Sequence, residues 1–302
     1  MTTSDATTDL HTILDLVRYA ATRFNEAELV FGQGSDDAVD DASLLICEAL
    51  RLPIDRFGEL LPARVTAAER QKILDLIETR VRTRAPVAYL VQRAWMRGLP
   101  FYVDRRVIVP RSHIGGIIEG ELFDGGSSSL IEHPNAVTRV LDLCTGSACL
   151  AILASFTFSK ARIDAIDISD DALQVAQTNV AYHGLQDRIT LLKGDLFAPV
   201  RETRYDVILT NPPYVDAQGM ADLAPECRHE PKLALDGGDD GLDIVRRILA
   251  EAGSHLLPGG VLLCEVGRGR KAVERAFPQS NVQWVETPEC RGEVFWIAAG
   301  DL

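Results

Sequence analysis

At positions 211–214 the chain reads Asn-Pro-Pro-Tyr, shortly after the apolar run Val207-Ile208-Leu209. The run reads as the end of a buried strand, and the tetrapeptide as a stiff turn carrying one exposed side-chain amide. Each proline fixes its own φ and lacks an N–H. Each also holds the preceding residue near an extended conformation, which restricts Asn211 and Pro212 together. The corner therefore offers an amide oxygen and backbone carbonyls with few donors beside them. Acceptors so placed suit the two N–H bonds of a planar –NH2 group. The plainer alternative is a proline-terminated loop after a strand, and the upstream sequence weighs between the two.

Three more strand ends carry polar or flexible residues. Asp142-Leu143-Cys144-Thr145-Gly146-Ser147-Ala148 sits where one apolar strand turns into a helix, and Gly146 permits a close ligand approach there. The segment is not the G-x-G-x-x-G dinucleotide fingerprint. Asp167 ends the next strand, about 25 residues on, near the spacing at which an acid meets a ribose in this topology. Its two oxygens can accept both ribose hydroxyls; alternatively, Asp167 and Asp170 simply favour the following helix N-terminus. In Gly194-Asp195-Leu196-Phe197, Asp195 can accept from the exocyclic amine of an adenine, with an ordinary turn as the alternative.

The elements that must position these residues follow from periodicity. From Arg139 onward short apolar strands alternate with helices: strands at 140–144, 163–167, 189–192, 207–209, 261–266, near 282 and at 294–297, and helices at 148–158, 169–183, 241–256 and 270–277. That rhythm predicts an α/β fold with a mostly parallel, doubly wound, Rossmann-like sheet, whose ligands bind at the carboxyl ends of the strands. The first 85 residues read as a helical bundle. One helix carries Leu14 to Ala20 and ends near Phe31-Gly32, and a second spans 44–52 and stops at Pro53. The third is opened by the capping box Thr66-Ala67-Ala68-Glu69. Residues 86–135 read as a connector: a hairpin of 94–96 and 101–103 about Arg97-Gly98, an extended piece at 107–110, a helix at 115–123, and a linker at 124–135 containing Gly-Gly-Ser-Ser-Ser.

Composition narrows the partners. The 302 residues hold 31 Lys plus Arg against 44 Asp plus Glu, a net charge of −13. That disfavours stable nucleic-acid binding, which needs clustered cations, and suits a basic protein partner, although acidity alone also serves solubility. The six cysteines form no C-x-x-C pair, and no His/Cys cluster has zinc spacing, so no metal is expected and a reducing, cytoplasmic setting is. The polar, acidic segment 1–10 is no signal peptide, and no apolar run reaches membrane-spanning length.

Taken in order, the four strand ends resemble class I methyltransferases that use S-adenosylmethionine, specifically the branch acting on glutamine amides. Val109-Pro110-Arg111-Ser112 and Glu230-Pro231-x-x-Ala234-Leu235-Asp236-Gly237-Gly238-x-x-Gly241-Leu242-Asp243 are similar to that branch as well. Phe31-Gly32-x-Gly34-Ser35, Leu50-x-Leu52-Pro53 and the Pro-Arg-Ser form resemble the members that methylate a large-subunit ribosomal protein. The members acting on release factors usually show Pro-Arg-Pro-x-Thr-Glu, and remain the nearest alternative. An adenine-amino methyltransferase, which usually needs a basic face, and a non-catalytic cofactor-binding protein are more distant ones.

The resemblance implies a seven-stranded methyltransferase domain over 136–302, S-adenosylmethionine as cofactor with S-adenosylhomocysteine as product, and a basic ribosomal protein as substrate. It implies cofactor contacts from Asp142, Cys144, Thr145, Gly146, Ser147, Ala148, Asp167, Ile168, Asp195, Leu196 and Asn211. Asn211 and Pro212 are the expected catalytic residues. Asn211, Pro212, Pro213, Tyr214 and Phe101 are expected to bind the substrate, Tyr214 and Phe101 as walls, unless these two aromatics are simply core. The chain departs from the family pattern at Ala148 (usually Gly), His113 (usually Pro) and Gly116 (usually Glu). Glu119, one helical turn on, is the candidate to replace the last of these in part.

Overall fold

In the computed structural model, described over residues 9–127, 129–131 and 133–302, a helical bundle, a hairpin connector and a seven-stranded sheet follow one another along the chain. Most of the N-terminal segment read as leader-free, together with Ser128 and Glu132 of the linker, lies outside the described residues.

The bundle forms from α1 (Ile13–Glu26), α2 (Ala38–Leu50) and α3 (Ala67–Thr83). Thr12 with Asp15 and Thr66 with Glu69 each make a capping box, satisfying donors that the first turn leaves open. The first helix stops at Glu26, before Phe31, because Ala27 turns its N–H back to Arg23 O and Glu28 takes a left-handed φ of 49°. The second starts earlier than its apolar residues suggest: Asp37 accepts from the Val39 and Asp40 N–H groups and so fixes the start at Ala38. Leu16, Phe24, Leu45, Ile46, Ile73 and Ile77 are fully buried where the three helices meet. Each such side chain is worth roughly 1.5–3 kcal/mol of apolar burial. Arg80 and Asp41 form an ion pair inside this core, 2.9 Å apart.

The connector differs from expectation in register. Strand β1 is Ala94–Met96, but β2 is Leu99–Phe101. Arg97 and Gly98 both take positive φ (51° and 74°), the two-residue turn that pairs Met96 with Leu99. Residues 107–110 run without strand pairing. The expected helix divides into α4 (Ile114–Glu119) and a 3-10 turn at Glu121–Phe123, broken at Gly120. Leu130 and Ile131 of the linker pack against the sheet core, so this stretch is docked.

The large sheet has the order β5-β4-β3-β6-β7-β9-β8. Strands β3 (Arg139–Leu143), β4 (Arg162–Asp167), β5 (Ile189–Lys193), β6 (Tyr205–Thr210) and β7 (Leu256–Glu265) are parallel; β8 (Gln283–Glu286) and β9 (Arg291–Ala298) add an antiparallel edge. Both faces are buried, as a parallel sheet requires. Val140, Ile163 and Val207 pack beneath α5 (Cys149–Thr157) and α6 (Asp170–Tyr182), whereas Leu141, Ile208 and Leu262 face α7 (Asp243–His255) and α8 (Arg270–Ala276). The winding direction reverses between β3 and β6, which puts a crevice at their carboxyl ends. Leu143 is level with Ile166 on one side and Thr210 on the other, so the turns after β3, β4 and β6 emerge together. Among the described residues no helix is long and apolar enough to cross a membrane.

Candidate active site

Two cavities meet at the Asn-Pro-Pro-Tyr corner. The first, about 210 Å³, is lined by Cys144, Gly146, Asp167, Ile168, Asp195, Leu196, Asn211 and Pro213 from the strand ends. The second, about 110 Å³, is lined by Asn211, Pro212, Tyr214, Arg111, Cys227 and Glu230. Asn211, Ile108 and Ala234 belong to both walls. The Asn211 side chain is half-buried and has no hydrogen-bond partner among the described residues, nor has the Pro212 carbonyl. The prolines thus divide the work of the turn, Pro213 facing the larger cavity and Pro212 the smaller.

The glycine-rich segment 237–241 holds this corner from behind. A Cβ on Gly241, whose φ is +78°, would collide with the Tyr214 carbonyl. That close approach lets the Val215 N–H reach Leu235 O at 2.8 Å and the Gly237 N–H reach Val215 O at 2.9 Å. Tyr214 packs its ring over Gly267 beside Glu265, and burial pushes its phenol well above the usual range. Glu265 is itself buried, which raises its pKa; it accepts from Ser112 Oγ at 2.6 Å and the His113 N–H at 3.0 Å.

At the first turn, the Gly146 N–H donates to Asp167 Oδ2 at 2.9 Å and the Ser169 N–H to Asp167 Oδ1 at 2.9 Å. Asp167 therefore joins two strand ends while still facing the cavity, and each oxygen keeps a further lone pair. Its pKa is raised because the carboxylate is desolvated. Cys144 and Leu196 in the cavity wall, and Ala148 buried behind it, hold left-handed φ values of 58°, 49° and 62°. Such conformations are strained for residues other than glycine and cluster at ligand sites. Burial, then the charge of Asp167, pushes the Cys144 thiol well above its usual range, which disfavours the thiolate.

Several expected site residues lie elsewhere. Phe101 is a core residue, 1% exposed and packed 5.4 Å from the His183 ring, and walls neither cavity. Asp142, Thr145, Ser147 and Ala148 are buried beneath the first turn and do not line the cavity. Asp142 Oδ2 accepts from Thr145 Oγ1 at 2.6 Å and the Ala151 N–H at 3.1 Å, while Oδ1 is buried without a partner among the described residues. Asp195 stands at the rim, its Oδ2 held by Arg247 at 2.8 Å.

The departures from the family pattern fall outside the crevice or are absorbed locally. Position 116 lines an outer cleft, where Glu289 Oε2 lies 3.1 Å from the place a Cβ would take. Glu119 pairs with Arg97 at 2.8 Å and so replaces no carboxylate at the site. His113, unlike a proline, has an N–H, and Glu265 uses it.

Sequence reasoning left Arg111, Glu230, Arg247, Glu265 and Ile108 out of the site. The Pro-Arg-Ser and Glu-Pro motifs flagged the first two without a role. Arg247 has no local signal at all, being one charge among several on an amphipathic helix.

The methyltransferase small domain model matches residues 113–227. The ribosomal protein uL3 glutamine methyltransferase of Bradyrhizobium diazoefficiens is 60% identical over 97% of this chain and 92% of its own length. That of Bordetella pertussis is 49% identical over 97% of both chains. Among solved structures, the hMettl16 catalytic domain in complex with a MAT2A 3′UTR hairpin matches with a TM-score of 0.51 at 19% identity, over 74% of this chain and 81% of that one, a likeness of fold alone. Relatives this similar from end to end settle the matter: the chain is a methyltransferase and belongs to the ribosomal protein uL3 glutamine methyltransferase family.

Proposed function

We propose that this enzyme transfers a methyl group from S-adenosylmethionine to the side-chain amide nitrogen of a glutamine in ribosomal protein uL3. The observation that carries the reading is Asn211, an unpartnered amide in the wall shared by two cavities. The larger cavity fits a nucleoside: an acid at Asp167 faces apolar Ile168 and Leu196, and Gly146 leaves open space where a Cβ would stand. S-Adenosylmethionine bound there supplies an activated methyl on a sulfonium, and Asp167, Gly146, Ile168, Asp195 and Leu196 are the residues to hold it.

An amide nitrogen is a weak nucleophile because its lone pair is delocalised into the carbonyl. The task left to the protein is alignment, worth roughly 7–11 kcal/mol in favourable cases. Asn211 Oδ1 and the Pro212 carbonyl each accept one N–H of the substrate amide, which fixes its plane and keeps electron density on nitrogen. Tyr214, Arg111 and Glu230 line the acceptor side, and the Arg111–Glu230 pair, its carboxylate buried and its guanidinium part-exposed, helps keep that side narrow. Asn211 and Pro212 need not take the proton, which can leave once the nitrogen is alkylated.

The helical bundle is the part proposed to read the acceptor protein. A ribosomal acceptor places the reaction in the cytoplasm. The net charge of −13 suits a protein that binds RNA through clustered cations, and does not suit stable binding to nucleic acid itself.

Incubating the enzyme with radiolabelled S-adenosylmethionine and purified uL3, a release factor and nucleic acid in separate arms tests this. The expected result is label on uL3, placed on one glutamine by mass spectrometry. Label confined to the release factor or the nucleic acid would overturn the assignment. Asp167→Ala should weaken cofactor binding in a direct titration.

A further inference from the structure

The segment 223–230 runs as a strap between the acceptor cavity and the helical bundle. Leu223, Cys227 and Glu230 line the cavity. On its other side the strap is pinned to the bundle at three points. Glu226, fully buried, meets Arg84 Nη2 at 2.7 Å and accepts from the Val30 N–H at 3.1 Å. Gln33 Nε2 donates to Cys227 Sγ at 3.0 Å, and His229 Nε2 donates to Thr83 O at 2.9 Å.

Arg84 is the centre of this fastening. It caps α3 with a left-handed φ of 58°, and its guanidinium also donates to Ala27 O at 3.0 Å and Glu28 O at 2.8 Å, just beyond the end of α1. One side chain therefore gathers two helix ends and the strap. The pair is not built for stability alone: Arg84 Nε and Glu226 Oε2 are both buried without a partner among the described residues. Only the carboxylate of the pair is fully buried, the Arg84 side chain being 28% exposed, and a buried charge with an open valence is often no more stabilising than well-packed apolar residues in its place. What it does supply is a single defined geometry.

We infer that Arg84 and Glu226 are positioning residues for the acceptor. They lock the bundle, the part proposed to read the acceptor protein, to the strap that shapes the cavity beside Asn211, so that docking at one is felt at the other. The inference rests on the protein-acceptor reading above, and its test separates the two.

The full-length enzyme is compared with Glu226→Gln and with the double variant Arg84→Met/Glu226→Leu, which fills the site with apolar side chains and keeps the test open should the single change unfold. Expected in the double variant are a rise in KM for uL3 of about tenfold, within the range of site-to-site coupling, an unchanged cofactor Kd and kcat, and faster amide hydrogen exchange across 223–230. A folded double variant with wild-type KM, or with wild-type exchange across the strap, overturns the inference. So does an equal loss of cofactor affinity, which marks a merely structural pair. A wild-type enzyme that leaves uL3 unlabelled refutes the acceptor reading instead, and the exchange experiment then decides the fastening by itself.

Discussion

The Arg111 guanidinium meets the Glu230 carboxylate through two parallel contacts, Nη1 to Oε1 at 2.5 Å and Nη2 to Oε2 at 2.7 Å. Glu230 Oε1 also accepts the Val109 N–H at 2.9 Å. The carboxylate is fully buried and the guanidinium about one-third exposed. Together they join the connector, the strap and the acceptor cavity.

Removing one member of such a pair strands the other. Glu230→Ala leaves the Val109 N–H and a part-exposed guanidinium without their acceptor, and is expected to lower unfolding stability by about 1–3 kcal/mol, read from urea melts. A loss well below about 1 kcal/mol would mean that water replaces Glu230 at both donors and that the pair does not fasten the connector to the strap.

Asn211→Ala removes an acceptor from the wall that the two cavities share and leaves Asp167, Gly146, Ile168, Asp195 and Leu196 in place. Turnover should fall by roughly 100-fold or more, the usual cost of deleting one preorganised polar contact to a reacting group. Cofactor affinity should fall far less. Single-turnover kinetics beside calorimetry check the split, and parallel losses in both would contradict the assigned role.

Gly146→Ala isolates steric exclusion from backbone strain. Gly146 has φ +56°, and a Cβ there meets no protein atom within 4 Å while lining the larger cavity. Ala148, two residues on, already tolerates φ 62° as an alanine. The strain should therefore cost only about 1–2 kcal/mol, while cofactor affinity falls by about tenfold or more because the methyl takes ligand space. A cofactor titration with unchanged Kd would remove Gly146 from the contact surface.

Burial lifts the Asp142 carboxyl from 3.8 to about 7, opposed by hydrogen bonds from Thr145 and the Ala151 N–H. A raised acid pKa means that the fold favours the neutral form. Its stabilising contribution is complete below about pH 4 and is lost as pH rises through about 7. The full loss is of order 4 kcal/mol. Asp142→Asn should flatten this slope and leave the variant the more stable of the two at pH 8. Urea melts from pH 4 to 8 measure it; parallel profiles for the two proteins would rule the titration out.

The strand ends were legible because their signals are local. Proline pairs, a glycine turn and an acid after an apolar run constrain the backbone within a few residues, and β3 to β6 fall where those signals stand. Phe101 was misplaced because an aromatic side chain looks the same in sequence whether it walls a pocket or fills a core, and a two-residue shift of the second hairpin strand turned on Arg97 and Gly98. The Arg247–Asp195 and Arg111–Glu230 contacts join residues 52 and 119 positions apart. No local pattern encodes such a meeting, which the folded topology alone decides.

Because Asn211 stands in the wall of both compartments, the two chambers adjoin at that side chain, and the methyl group and the amide nitrogen come together only there. Apart from Asn211, Ile108 and Ala234 each chamber has its own lining, so each reactant finds contacts that do not wait on the other. Isotope-trapping experiments should accordingly find no compulsory order of addition.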